Sequence, residues 1–131
     1  MNITEDYVSY EVAKLLKEKG FDEKTLSYYE DNVLCHGDWF EWNRSPLGHI
    51  AAPTQQMAMK WLREVHNKHC DIGYDIDVKW FFQIIDLKET IEDHYTEMKF
   101  YHSNNQCNFK SYEQVAEAAL KYTLENLENL I

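Results

Sequence analysis

The sequence is poor in the residues that mark most specialised classes. Four glycines and two prolines in 131 residues are too few for a collagen-like or Gly/Pro-rich disordered chain, and too few for a phosphate cradle. No C-x-x-C occurs among its cysteines, Cys35, Cys70 and Cys107. An odd number of widely spaced cysteines reads as free thiols in a reducing compartment. No apolar run approaches the roughly 20 residues of a membrane span. The first twenty residues carry Glu5, Asp6, Glu11 and Glu18 and lack an apolar stretch, which predicts no secretory signal and a cytoplasmic protein. Basic residues are scarce too: 13 Lys and Arg stand against 23 Asp and Glu, a net charge of -10. Nucleic-acid backbones and anionic membrane surfaces repel such a chain, so neither is an expected partner.

What is present suits one folded domain. Hydrophobic residues make up 44% and aromatics 15%, and a chain of this size buries roughly 68% of its unfolded surface. No repeat or linker divides it, so a single domain over 1–131 is expected. Residues 31–52, with Gly37, Pro46 and Gly48, are weakly patterned and read as a long loop or an inserted hairpin.

Helical spacing of Val8, Val12, Leu15 and Leu16 predicts a helix over about 9–19. Ser9 can cap it, and Gly20 followed by Phe21 fits a Schellman ending against Leu16. Thr25–Glu30 alternates as a strand, Asp31-Asn32 is a turn candidate, and Val33-Leu34 reads as a possible return. Met57, Ala58, Trp61, Leu62 and Val65 form one stripe of a second helix over about 54–67, entered through Pro53 and Thr54. From Ile72 to Val78 the period falls to two, and Trp80–Ile85 then carries apolar side chains on both faces, as a central strand covered on each side would. Met98–Tyr101 is a further strand and Ser103–Gln106 a turn. Ser111 with Gln114 opens a last helix, whose packing stripe is Val115, Ala118, Ala119, Tyr122 and Leu127, widened by Leu120, Leu124 and Ile131. Strands grouped between helices predict an α+β fold: a single mostly antiparallel sheet with three helices layered on it.

Recognisable chemistry is sparse. His66, His69 and Cys70 form the tightest group of metal-capable side chains, but zinc needs four ligands, or three and water, and no helical zinc motif is present. They read more readily as helix-end polar groups and a buried thiol, so no metal or other cofactor is expected. His36-Gly37-Asp38 lacks a nucleophile elbow or a dinucleotide fingerprint and reads as a turn. An enzyme with a small site near His36, His66 and His69 is the rival class. The charge also admits an acidic mimic of DNA.

The aromatics say more. Trp39, Phe40 and Trp42 cluster in the poorly patterned segment. If helices cover one face of a single sheet, Phe81 and Ile85 are left on the other. Either the 31–52 segment folds over that face, burying Trp39 and Trp42, or a second copy of the chain covers it, making these five residues candidates for a homo-oligomer or partner interface.

The stretches Tyr7–Phe21, Ala52-Pro53-Thr54 with Met57–Val65, and Ser111–Glu113 with Ala118–Tyr122 resemble a group of small uncharacterised proteins encoded by gut anaerobes, often in prophages and other mobile elements. The likeness covers about half the chain and omits 31–52. It implies a mobile-element setting inside the cell and brings no functional residue. The expectation is therefore a phage-derived accessory or regulatory protein that acts by binding another protein.

Overall fold

Ser9 begins the first helix as its sequence predicts. In the computed structural model, which describes residues 3–87, 100–103 and 109–128, its hydroxyl accepts the Val12 N–H at 3.1 Å and α1 runs Tyr10–Glu18. Gly20 ends it at φ 94. The Phe21 N–H reaches the Leu16 carbonyl at 2.9 Å and the Gly20 N–H the Lys17 carbonyl at 3.2 Å, the two bonds of a Schellman motif. Leu16 and Phe21 are both buried, so the motif also closes a hydrophobic contact.

The chain divides into two compact units, Met1–Ala58 and Met59–Ile131. In the first, β1 (Thr25–Glu30) pairs antiparallel with β2 (Val33–Phe40) on one side and with β3 (Ile50–Ala51) on the other. The expected short return after Asp31-Asn32 is thus eight residues long. The stretch 31–52 is neither a loop nor a separate hairpin but the second arm of this one, then a 3-10 turn over Trp42–Arg44 and β3. The segment before α1 is tied down by the Val8 N–H on the Pro53 carbonyl, 3.0 Å, and the Gln55 N–H on the Asp6 carbonyl, 2.8 Å. Helix α2 (Gln55–His66) follows. The Thr54 hydroxyl accepts the Met57 N–H at 3.2 Å, and Asn67 takes the left-handed conformation just past its end, φ 56. The boundary between the units falls inside this helix.

The second unit holds β4 (Lys68–Asp75), β5 (Lys79–Asp86) and β6 (Phe100–His102), antiparallel in that order, and α3 (Tyr112–Glu125). Ser111 accepts the Gln114 N–H at 3.2 Å. The Gln114 side chain returns to the Lys110 N–H at 2.7 Å, one residue earlier than in a standard capping box. The helix buries Val115, Ala116, Ala119, Leu120, Thr123 and Leu124. Ala118 and Tyr122, expected in the stripe, are half-buried at its margin. An aromatic layer lies between helix and sheet: Tyr101 stacks on Tyr122 at 3.8 Å between ring centroids, Phe82 meets both, and Trp80 meets Tyr112 edge-on at 5.9 Å.

The α+β class stands, with three described helices. The single sheet does not: the described residues form two three-stranded antiparallel sheets. The strand the sequence did not reveal, β3, has two residues, too few to show any periodicity, and completes the first sheet beside β1. The cover expected on both faces of Trp80–Ile85 also gives way. β5 is central in its sheet, and Phe82 and Ile84 are buried on the face toward α3, but Phe81, Gln83 and Ile85 opposite are half-buried. Phe81 lies across its cross-strand partner Gly73, where an added Cβ would sit 2.4 Å from the ring, and stacks on His102 at 5.0 Å. The β4–β5 reversal occupies Ile76–Val78. Its position is hidden in sequence because Lys79, not glycine, takes positive φ (70). The Asp75 carboxylate holds the turn by accepting the Asp77 and Val78 N–H groups, which keeps its pKa below the usual range. The predicted turn at 104–106, Cys107 and Ile131 lie outside the described residues. Among the described residues, no helix is long and apolar enough to cross a membrane.

Candidate binding surface

The β1–β2 hairpin turns through Asp31 and Asn32, with φ 48 and 69. Positive φ at both central residues is the type I′ geometry, whose twist matches that of paired strands, and Asp and Asn tolerate it best after glycine. Register runs regularly from Glu30↔Val33 to Ser27↔His36 and then slips. Between that pair and Thr25↔Phe40, β1 has one intervening residue, Leu26, while β2 has three, Gly37, Asp38 and Trp39. Bulged strands re-aim their side chains, and here Trp39 and Leu26 come to line the same depression.

Trp42 anchors the chain that follows. Its indole N–H donates to the Thr25 carbonyl at 3.0 Å, and its ring stacks on Tyr28 at 4.1 Å. His49 stands edge-on to both rings, with its Nδ1 at 2.8 Å from the Ser45 hydroxyl. Gly37 makes room for this cluster: a Cβ there would sit 3.0 Å from the Trp42 ring. Asn43 bridges the Phe21 carbonyl (2.7 Å) and the Ala51 N–H (2.8 Å). Residues 41–49 are therefore fastened to the sheet by specific bonds, and Trp42 serves the packing of its own unit.

Trp39 and Phe40 are different. They are 57% and 46% exposed, and Leu26 and Val33 on the same hairpin are 51% and 60% exposed. The proposed burial of Trp39 under the 31–52 segment is therefore corrected. Leu26, Trp39, Pro53 and Met57 wall a depression of about 220 Å³ together with Tyr7, and among the described residues Glu5 is its only charged lining residue. The electrostatics are one-sided. Residues 25–43 hold Glu30, Asp31, Asp38 and Glu41 and no Lys or Arg. Arg44, next along, is bound to Asp22 and Glu41.

The histidines and Cys70 do not build a centre in the same way. His36 belongs to the first unit, its Nδ1 at 2.6 Å from the hydroxyl of Ser27, which is fully buried and so closed to a substrate. His66 sits edge-on to Trp61 at 4.7 Å. His69 and Cys70 are successive residues of β4, so their side chains point to opposite faces of the sheet. That geometry separates the two best candidates for a shared metal. Among the described residues, no three or more His, Cys, Asp or Glu side chains group as metal ligands, although His69 Nδ1 is buried without a hydrogen-bond partner there. The Cys70 thiol lies 3.6 Å from the Thr123 hydroxyl. Burial pushes its pKa up to about 11, which makes it an unreactive thiol at neutral pH. Phe81 and Ile85, the other interface candidates, are half-buried on the outer face of β5. The depression itself was not legible in sequence. Its walls come from residues 5–7, 25–26, 39 and 52–57, and only the clustered aromatics of 39–42 hinted at it.

Comparison of this chain with protein-family models, with curated proteins and with solved structures finds no match.

Proposed function

We propose that this chain acts by binding a partner protein, as an accessory or regulatory factor, and that the β1–β2 hairpin of its N-terminal unit is the contact surface. The observation that carries this reading is the exposure of Leu26 and Trp39 side by side at the mouth of an apolar depression. Large apolar groups left in water beside a concavity are characteristic of interaction sites, and tryptophan is the residue most enriched among energetic anchors of interfaces. At about 220 Å³ the depression is below the roughly 300–1,000 Å³ of small-molecule sites and suits one inserted side chain. A phage-derived setting is part of the same proposal.

A photo-crosslinking residue placed at Trp39, and separately at the more exposed Ile76 of the second unit, tests the reading in lysate of the cell that encodes the chain. The expected result is a discrete protein adduct from position 39 that is lost when Leu26→Glu is added, and none from position 76. Adducts of equal yield from both positions, or from neither, overturn it.

A further inference from the structure

Strand β2 is an edge. In the order β2-β1-β3 it pairs with β1 alone, and among the described residues no strand lies on its other side. The register shows which backbone groups are left over. A type I′ hairpin closes on a pair that exchanges both hydrogen bonds, here Glu30↔Val33, so bonded and non-bonded pairs alternate away from the turn: Tyr28↔Cys35 is bonded, Tyr29↔Leu34 and Ser27↔His36 are not. The other side of β1 agrees with this, since the Ser27 carbonyl points away from β2 and accepts the Ala52 N–H at 2.9 Å. Leu34 and His36 therefore direct their N–H and C=O groups outward, from the regular part of β2 ahead of its bulge.

Exposed edges are normally blunted by lysine, proline or a covering element. The sequence Val33–Phe40 contains no lysine and no proline, and from Asp38 onward every residue of β2 is exposed. Its charge is of one sign: Asp31 precedes it, Asp38 lies within it and Glu41 follows it. Two copies meeting edge to edge would set identical anionic strands together, and like charges at an interface select against that pairing. A strand carrying cations gains from the same field.

We propose that β2 receives an extended, basic segment of the partner protein as a fourth strand of the N-terminal sheet, bonded to the main chain at Leu34 and His36. This rests on the reading of the hairpin as a protein-binding surface and specifies the partner's chemistry: backbone hydrogen bonds supply the attachment, and Lys or Arg at its outward positions supply the selection.

The probe is a pool of capped octapeptides with Val, Ile, Tyr or Phe at alternate positions and Arg between them. Matched pools carry Ser or Glu in place of Arg. Amide hydrogen exchange of the full chain is followed residue by residue. The arginine pool is expected to slow exchange at Leu34 and His36 at least tenfold, the serine pool to bind at least fivefold more weakly, and the glutamate pool not to bind. His36→Pro removes one outward donor at a position where an edge strand accommodates proline. It is expected to weaken the arginine pool at least tenfold, whereas His36→Thr, which keeps the N–H, restores it. No protection at these amides with the arginine pool, equal binding of the glutamate pool, or protection that rises with protein concentration alone and marks a second copy as the occupant overturns the proposal. If the crosslink at position 39 persists and is lost with Leu26→Glu while Leu34 and His36 stay unprotected, strand addition falls and the binding surface stands. If the crosslink fails as well, both fall.

Discussion

The two units place most of their aromatic residues differently. In the C-terminal unit Phe82, Tyr101, Tyr122, Trp80 and Tyr112 form one layer between the sheet and α3, with Tyr74 exposed and Phe81 on the outer face of β5. In the N-terminal unit Tyr28, Trp42 and His49 pack among themselves with Phe40 edge-on to Trp42, while Trp39 is left 57% exposed. The physical difference is the helix. Helix α3 lies along β4 and β5 and gives their rings a surface to bury against. Among the described residues strand β2 has a neighbour on one edge only, and its bulge turns Trp39 toward a depression that none of their side chains fills. The same residue type thus serves stability in one unit and, on the proposed function, recognition in the other.

Truncating each kind of aromatic breaks or sharpens that contrast, and the largest effect is expected inside the C-terminal unit. Phe82 is 2% exposed, and Phe82→Ala should cost about 3–5 kcal/mol by removing a core ring and leaving a cavity. Trp39→Ala should cost within about 1 kcal/mol, as surface truncations do. Urea unfolding of the two variants measures both, and equal losses would break the comparison.

Cys70 provides a probe by pH. Its thiol is raised from 9.0 to about 11 by burial, so the folded state holds the proton where the unfolded chain gives it up. The stabilisation is complete below pH 9, declines as pH rises and is gone above pH 11. At about 1.4 kcal/mol per pKa unit, the slope between those limits integrates to ~2–3 kcal/mol. The difference between wild type and Cys70→Ala, measured from pH 8 to 11.5, isolates it. At pH 8 a thiol reagent should label Cys35, which is half-buried, well before Cys70.

The helix caps should give a smaller effect that does not separate the units. Ser9 and Ser111 each accept one N–H of the first turn, and either Ser→Ala change should cost about 1 kcal/mol in thermal or urea unfolding. A much larger loss for one would show that its helix carries more of its unit than the other. Smallest is Asp75→Asn. The lowered pKa of Asp75 makes its contribution present at neutral pH and lost as pH falls below the carboxylate range. The variant should therefore match wild type at pH 2 and fall slightly below it at pH 6.

Local chemistry made much of the fold legible. The Schellman ending at Gly20 and Phe21, the cap at Ser111, the entry of α2 through Pro53 and Thr54 and the turn at Asp31-Asn32 all act over a few residues, so the residues that specify them adjoin in the chain. The β4–β5 turn escaped because Lys79 takes a conformation usually reserved for glycine. The candidate surface escaped for a different reason. Exposed aromatics and buried ones look alike in a sequence, and Trp39 differs from Trp42 only in which neighbours the bulge at Leu26 brings to it.

By itself the sequence determined the helices and their caps, the central place of Trp80–Ile85 and an acidic chain, because propensity, periodicity and charge are properties of neighbouring residues. Only the tertiary structure decided that the described strands form two sheets, that Phe81 and Ile85 keep partial exposure, that His69 and Cys70 face apart, and that among the described residues β2 ends as an open anionic edge. Each of these depends on which strand lies beside which, and pairing between distant segments is fixed by the burial and hydrogen bonding of the whole unit.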